Sequence, residues 1–183
     1  MIDELLAFGH INRLKSVQRA SSVDERKESA AEHTWSSMML ADFFFDKVQP
    51  LDRLKVFELL LYHDVAEIQA GDTPLAPKAH DDTKEAREEK AAQCLKEKLP
   101  MGDRFFDLFN EYEALQTPEA KFACAINKLD VIIQEIDYKT DWKGWSKQFL
   151  LEKKLPFMEP FPALKDALLV LVDYLEKEGY FDQ

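Results

Sequence analysis

The chain has 183 residues, 46% of them apolar and 32% charged, a composition that suits one globular domain with a sizeable core and excludes a disordered tail. Its 35 acidic against 24 basic residues leave a net charge of −11, which argues against nucleic acid or an acidic membrane as partner because a polyanion is repelled at long range. No apolar run reaches the about 18 residues that span a bilayer. Met1-Ile2-Asp3-Glu4 lacks the basic start of a signal peptide, and Cys94 and Cys124 make no disulfide framework, so a cytoplasmic protein with reduced thiols is expected.

Five glycines in the whole chain favour long helices over a many-turned sheet. Leu5, Leu6, Ile11 and Leu14 give residues 3–15 a helical period that Gly9 weakens. Residues 16–28 are polar and aperiodic and are expected to be a loop. Ser29-Ala-Ala-Glu32 fits the capping box, in which the Ser hydroxyl and the Glu carboxylate satisfy first-turn donors. It opens a helix that Pro50 ends. Asp52 caps a third helix, expected to run to Glu67 and, being apolar nearly all round, to lie at the centre of the bundle.

Gly71, Pro74 and Pro77 punctuate a loop over 68–81, after which helices are expected over about 83–98 and 103–115. Thr117-Pro118-Glu119 is a helix start, with Thr as cap, Pro at the first helical position and an acid at the positive end of the dipole. That helix is expected to reach about residue 138. A turn at Gly144, a short helix to about 153, a Pro-rich loop over 155–162 and a final amphipathic helix ending at Gly179 complete the reading. No strand is expected. The fold class is all-α: one helical domain over 1–183, with its core in about 4–140 and the helices of about 144–178 packed on it.

Four histidines are present, and two stand where a polar residue is costly. His63 and Asp64 end the apolar third helix, where each unsatisfied buried polar group costs about 1–3 kcal/mol. A His-Asp pair by itself is most simply a structural hydrogen bond. Its neighbours change the balance: Glu67 shares the helix face, Asp72 follows Gly71, His33 lies in the first turn of the preceding helix, and Asp130 is set among core apolar residues far downstream. Nitrogen and oxygen donors without cysteine suit a borderline transition metal and not a closed structural zinc site.

His33, His63-Asp64 and Asp130 together resemble the H…HD…D signature of the HD-domain metal phosphohydrolases. The wider pattern is similar to the YfbR-type 5′-deoxynucleotidases and the eukaryotic HD-domain proteins of the same branch. It consists of Glu32-His33, Tyr62-His63-Asp64-Val65-Ala66-Glu67, Gly71-Asp72-Thr73-Pro74 with Lys78, and Glu119-Ala120-Lys121…Asp130. The resemblance covers about residues 4–140. It implies one divalent metal (Mn, Co, Fe, Ni or Zn) held by His33, His63, Asp64 and Asp130. It implies catalytic parts for Glu67 and Asp72, a substrate-binding part for Asp72, and phosphate contacts from Arg19 and Lys78. It further implies a nucleoside-monophosphate substrate and a homodimer.

The chain departs from the family at Gln18-Arg19-Ala20-Ser21-Ser22-Val23, where an aromatic residue usually follows the arginine. Two other readings are kept: an HD hydrolase for another phosphate ester or a nucleotide polyphosphate, and a catalytically silent metal-binding interaction module. His10, His80 and the cysteines are expected to be structural or surface residues, and the Phe43-Phe44-Phe45 run to be core or dimer contact.

Overall fold

The computed structural model describes residues 1–75 and 83–181. A short helix α1 (Ile2–Phe8) runs into a 3-10 helix (Gly9–Ser16). The next segment corrects the expectation of a loop and of a chain without strands: β1 (Gln18–Val23) and β2 (Arg26–Ser29) form an antiparallel hairpin. Asp24 takes the tight turn with φ +50°, a conformation that Asp tolerates better than most residues. The pair was hidden because its strands are polar. Their buried members include Ser21 and Glu28, not the valines and isoleucines that mark a strand.

Helix α2 (Ala30–Phe45) starts at the expected capping box, with the Glu32 amide donating to Ser29 Oγ and the Ser29 amide to the Glu32 carboxylate. Helix α3 (Arg53–Tyr62) is capped by Asp52, whose carboxylate accepts from the Lys55 amide. It does not continue to Glu67. Residues 63–66 form a tightened turn, in which the Val65, Glu67 and Ile68 amides each reach back three residues instead of four, before the single turn α4 (Glu67–Ala70). Gly71, at φ +75°, ends α4 in a conformation that a side chain strains.

The remaining helices are α5 (Lys84–Lys98), α6 (Gly102–Ala114), α7 (Pro118–Gln134), α8 (Lys147–Met158) and α9 (Pro162–Lys177). Thr117 caps α7 as expected, through the Ala120 amide. Helix α7 stops at Gln134 and passes through two 3-10 turns, Glu135–Asp137 and Lys139–Trp142. The expected loop at 155–162 is mostly helix: α8 carries Pro156 near its end, where the Glu159 amide still bonds Leu155 O.

Two apolar cores result. The larger one surrounds α7, which packs against α2, α3, α6, α8 and α9 and buries nine residues. Here too the sequence reading needs correction, since α7 and not α3 holds the centre; Leu54 and Leu61 of α3 face solvent. The smaller core joins Leu14, Val65 and Ala66 to Ala91, Ala92 and Leu95 of α5 and Phe105 and Phe109 of α6. Tyr62 touches both cores, so the turn at 63–66 lies on the seam between them.

The larger core has a charged member. Lys154 of α8 is 6% exposed. Burial pushes its amine down to about 7, Lys128 adds to the effect, and the buried Glu135 only partly opposes it. Between that value and the ordinary 10.5, the unfolded chain binds a proton that the native chain does not. Stability from this group therefore rises with pH across that window. Lys154→Met is expected to gain about 1–4 kcal/mol at neutral pH. The gain should shrink as the pH rises through 10.5 to about 11.5, where the wild-type amine is neutral in the unfolded chain as well. Urea unfolding at both pH values checks it.

Candidate metal centre and acidic pocket

His33 lies in the first turn of α2 and is fully buried, while His63 and Asp64 occupy the turn after α3. His63 Nδ1 lies 2.6 Å from Leu60 O, a helix-end carbonyl, and this bond assigns the ring proton to Nδ1. Nε2 is left with a bare lone pair. It is buried, has no hydrogen-bond partner, and stands 3.1 Å from Asp64 Oδ1. Two acceptors at that distance repel unless a proton or a metal cation lies against both. His33 completes the set: donor atoms of His33, His63 and Asp64 lie within 4.8 Å of one another, and the two rings are 5.5 Å apart. The donors are two imidazoles and a carboxylate, all buried, and they fit a divalent transition metal.

Asp130 enters from α7. Its Oδ2 accepts from His33 Nδ1 at 2.8 Å and from Ser36 Oγ at 2.7 Å. In this arrangement it braces His33 and stands outside the three-residue donor group. The other ring nitrogen of His33 is 3.0 Å from Asn127 Oδ1, and Asn127 in turn donates to the Tyr112 hydroxyl at 2.7 Å. Burial, with Arg19 adding, holds the His33 imidazole below its ordinary value against the pull of Asp130, which favours the neutral ring a metal requires.

The acids around the centre are unequal. Asp64 is held below the ordinary carboxylate range: burial opposes this, and the His63 ring in its protonated form, together with Arg19, outweighs burial. Glu67 is 5% exposed, its Oε2 has no partner, and burial together with Asp64 and Asp72 pushes its carboxyl up to about 9. Asp72 is raised by burial, against the pull of Arg19. Separated carboxyl values of this kind mark an acid and a base within one pocket.

Arg19, on β1, is the cation among them. Its Nη1 is 3.2 Å from Asp64 and 3.8 Å from Asp72, and its Nε is 3.4 Å from Glu28. Burial works against its charge, and the four acids Asp64, Asp72, Glu67 and Glu28 more than compensate. The expected site residues His33, His63, Asp64, Glu67, Asp72 and Arg19 thus converge, with Asp130 behind His33. Lys78 and His80 fall outside the described residues.

Three residues were not anticipated. Glu28 lay in the supposed loop, and its alternation with exposed Lys27 was the only signal. Asn127 precedes Asp130 by three residues and so shares its helix face. Lys84 opens α5, pairs with Glu88 at 3.6 Å and feels the charges of Glu67 and Asp64.

The HD domain model matches residues 11–164 of the chain. The human 5′-deoxynucleotidase HDDC2 is 29% identical over 134 residues, 70% of this chain and 65% of that protein. The 5′-deoxynucleotidase hdd1 of Schizosaccharomyces pombe is 27% identical over 143 residues, 73% of this chain and 71% of that one. The match thus spans a little under two thirds of the length of the Xenopus, bovine and human relatives. Among solved structures, a predicted metal-dependent phosphohydrolase from Magnetospirillum magnetotacticum superposes with a TM-score of 0.88 at 30% identity, covering 100% of this chain and 95% of that one.

Metal-dependent stability follows from the donor set. Chelation is expected to lower the melting temperature of the protein, by an amount corresponding to about 2.7 kcal/mol if the metal was held at a hundredfold its Kd. Asp64→Ala is expected to abolish both retention of the metal and the chelator effect, as read by elemental analysis and calorimetry. Glu67→Gln should leave the metal content unchanged.

Proposed function

The chain belongs to the HD-domain family, and on that premise we propose that it is a metal-dependent phosphohydrolase that removes the 5′-phosphate from ribo- or deoxyribonucleoside monophosphates. One observation carries the reading. A buried His33–His63–Asp64 donor group, a Glu67 carboxyl whose Oε2 has no partner and the Arg19 guanidinium stand together. A purely structural metal has no need of the last two. The names of the relatives supply the substrate class.

In this reading His33, His63, Asp64 and, by resemblance, Asp130 hold the divalent ion. When bound, the ion supplies Lewis-acid polarisation of the phosphoryl group and makes water more acidic. The protein does the rest. Arg19 presents a planar fork to phosphate oxygens, and the phosphate would take over from Asp64 and Asp72 as its partner. Lys78 is assigned as a second phosphate contact. Glu67, whose carboxyl is pushed toward the protonated form, is placed to pass a proton to the nucleoside 5′-oxygen as it departs. Asp72, set by the Gly71 turn, accepts a hydrogen bond from a sugar hydroxyl. A reducing, cytoplasmic setting suits the two unpaired cysteines.

We further propose that the chain acts as a homodimer. Trp35, Met39 and Phe43 recur at i, i+4 and i+8 along α2 and are 67%, 56% and 60% exposed. Helix α1 carries Ile2, Leu5 and Leu6 and buries none of them. Apolar helix faces of this size suit a partner surface.

Phosphate release from a panel of ribo- and deoxyribonucleoside monophosphates, with protein stripped by chelator and refilled with Mn or Co, tests the activity. Metal-dependent release is expected, with Glu67→Ala lowering kcat by about 10²–10⁴-fold while retaining metal. No release from any monophosphate would overturn the assignment. Sedimentation tests the assembly: a dimer is expected for the wild type and a monomer for Met39→Glu, whereas a wild-type monomer at tens of micromolar would refute the dimer.

A further inference from the structure

Arg19 is aimed by a hairpin that has little of its own to hold it. Two short paired strands are marginal in water unless they pack on something. β1 and β2 bury Ser21, Glu28 and Ser29 but no large apolar side chain. Their register is also broken between Gln18 and Ser22, the interval that contains Arg19. Ladder pairing therefore does not fix the direction in which the guanidinium points.

Glu28, Asp64 and Asp72 hold the guanidinium itself; the strand that carries it is held about 115 residues downstream, in the two 3-10 turns after α7. The Asp141 carboxylate accepts from the Ser22 amide at 2.8 Å, from Ser22 Oγ at 3.1 Å and from Lys27 Nζ at 3.5 Å, and so clamps both strands at once. Ser21 Oγ donates to Glu135 Oε1 at 2.8 Å. The Asp24 amide donates to the Tyr138 hydroxyl at 2.8 Å, and Gln134 Nε2 donates to Ser22 O at 2.8 Å. The turns are themselves held in place. Trp142, 1% exposed in the larger core, donates from its indole to Glu135 O at 2.9 Å, and the Asp141 amide donates to Tyr138 O at 2.9 Å. A continuous chain of bonds thus runs from the core through Trp142, Glu135 and Asp141 to Ser21 and Ser22, and from them along the strand to Arg19.

We propose that Asp141 is a positioning residue for the substrate phosphate: it sets the strand that carries Arg19, and through Arg19 the affinity of the pocket for a phosphate monoester. Glu135 supports it from the buried side. The proposal rests on the phosphohydrolase reading for its substrate, but the geometry it asserts, Asp141 governing Arg19, is open to measurement without turnover.

The experiment uses the full-length, metal-loaded protein. Asp141→Ala is expected to raise KM for a nucleoside monophosphate about tenfold, the scale of one lost charge-assisted hydrogen bond, with kcat changed much less. Competitive inhibition by inorganic phosphate should weaken by a similar factor. Asp141→Asn, which keeps an oxygen for the Ser22 amide, should recover most of the loss. In Arg19→Ala the further change Asp141→Ala should have little additional effect, because the two act as one unit. The readout independent of activity is the Nε–H resonance of Arg19, which should move or broaden in Asp141→Ala while melting temperature and metal content stay near wild type. An unmoved Arg19 resonance, or additive losses in the double variant, would overturn the proposal. A moved resonance in a protein that hydrolyses no monophosphate would uphold the positioning and refute the substrate reading instead.

Discussion

The bond between His63 Nδ1 and Leu60 O determines more of this molecule than its size suggests. It satisfies a carbonyl at the end of α3 that the helix itself would have left open. By placing the ring proton on Nδ1, it leaves Nε2 bare and faces it toward the Asp64 carboxylate. It also accompanies the point where α3 stops and the chain tightens into the turn that reaches Glu67. A continuous helix would have given His63, Asp64 and Glu67 one face at helical spacing. The turn instead sets them on the seam between two apolar cores, with α2 and α7 bringing His33 and Asp130 from the other side.

The acids of the pocket show why that arrangement calls for a cation. Glu28, Asp64, Glu67 and Asp130 are all buried, Asp72 lies against them, and Arg19 is the one cation in direct contact with this group among the described residues. A single guanidinium does not neutralise so many carboxylates. Burial first, and the neighbouring acids after it, displace Glu28, Glu67 and Asp72 upward. Burying so many acids carries a desolvation cost that apolar side chains of similar volume avoid, and a site that uses their charge accounts for it. A divalent ion beside His33, His63 and Asp64 would compensate part of that charge.

How much of this could be read in the chain depended on whether the signal was apolar. Helix starts at Ser29, Asp52 and Thr117 were legible because capping uses a small set of residues in fixed positions. The donor residues were legible because His and Asp are conspicuous in apolar helices. The break after Tyr62 was not, since nothing in Tyr62-His63-Asp64-Val65 forbids helix, and a tertiary bond to Leu60 O decides the matter. The choice of central helix failed for a related reason. Helix α3 is the more uniformly apolar, yet α7 has five helices around it, and burial follows the neighbours, not the composition.

The hairpin is the most instructive omission. Its residues are Ser, Arg, Lys, Glu and Asp, which by composition read as solvated loop, and in isolation they would be one. They form strands because acceptors 114 to 119 positions away, on Glu135 and Asp141, receive Ser21 and Ser22. Polar burial of this kind is costly unless each group finds its partner. Here the partners are supplied by the turns that close α7, and those turns are anchored by Trp142. The same dependence explains how the site tolerates the absence of an aromatic residue after Arg19. The strand takes its position from hydrogen bonds to a distant segment, so the residues next to the arginine can be as small as Ala20 and Ser21. The position of the strand that carries Arg19 is thereby tied to the packing of Trp142 in the main core.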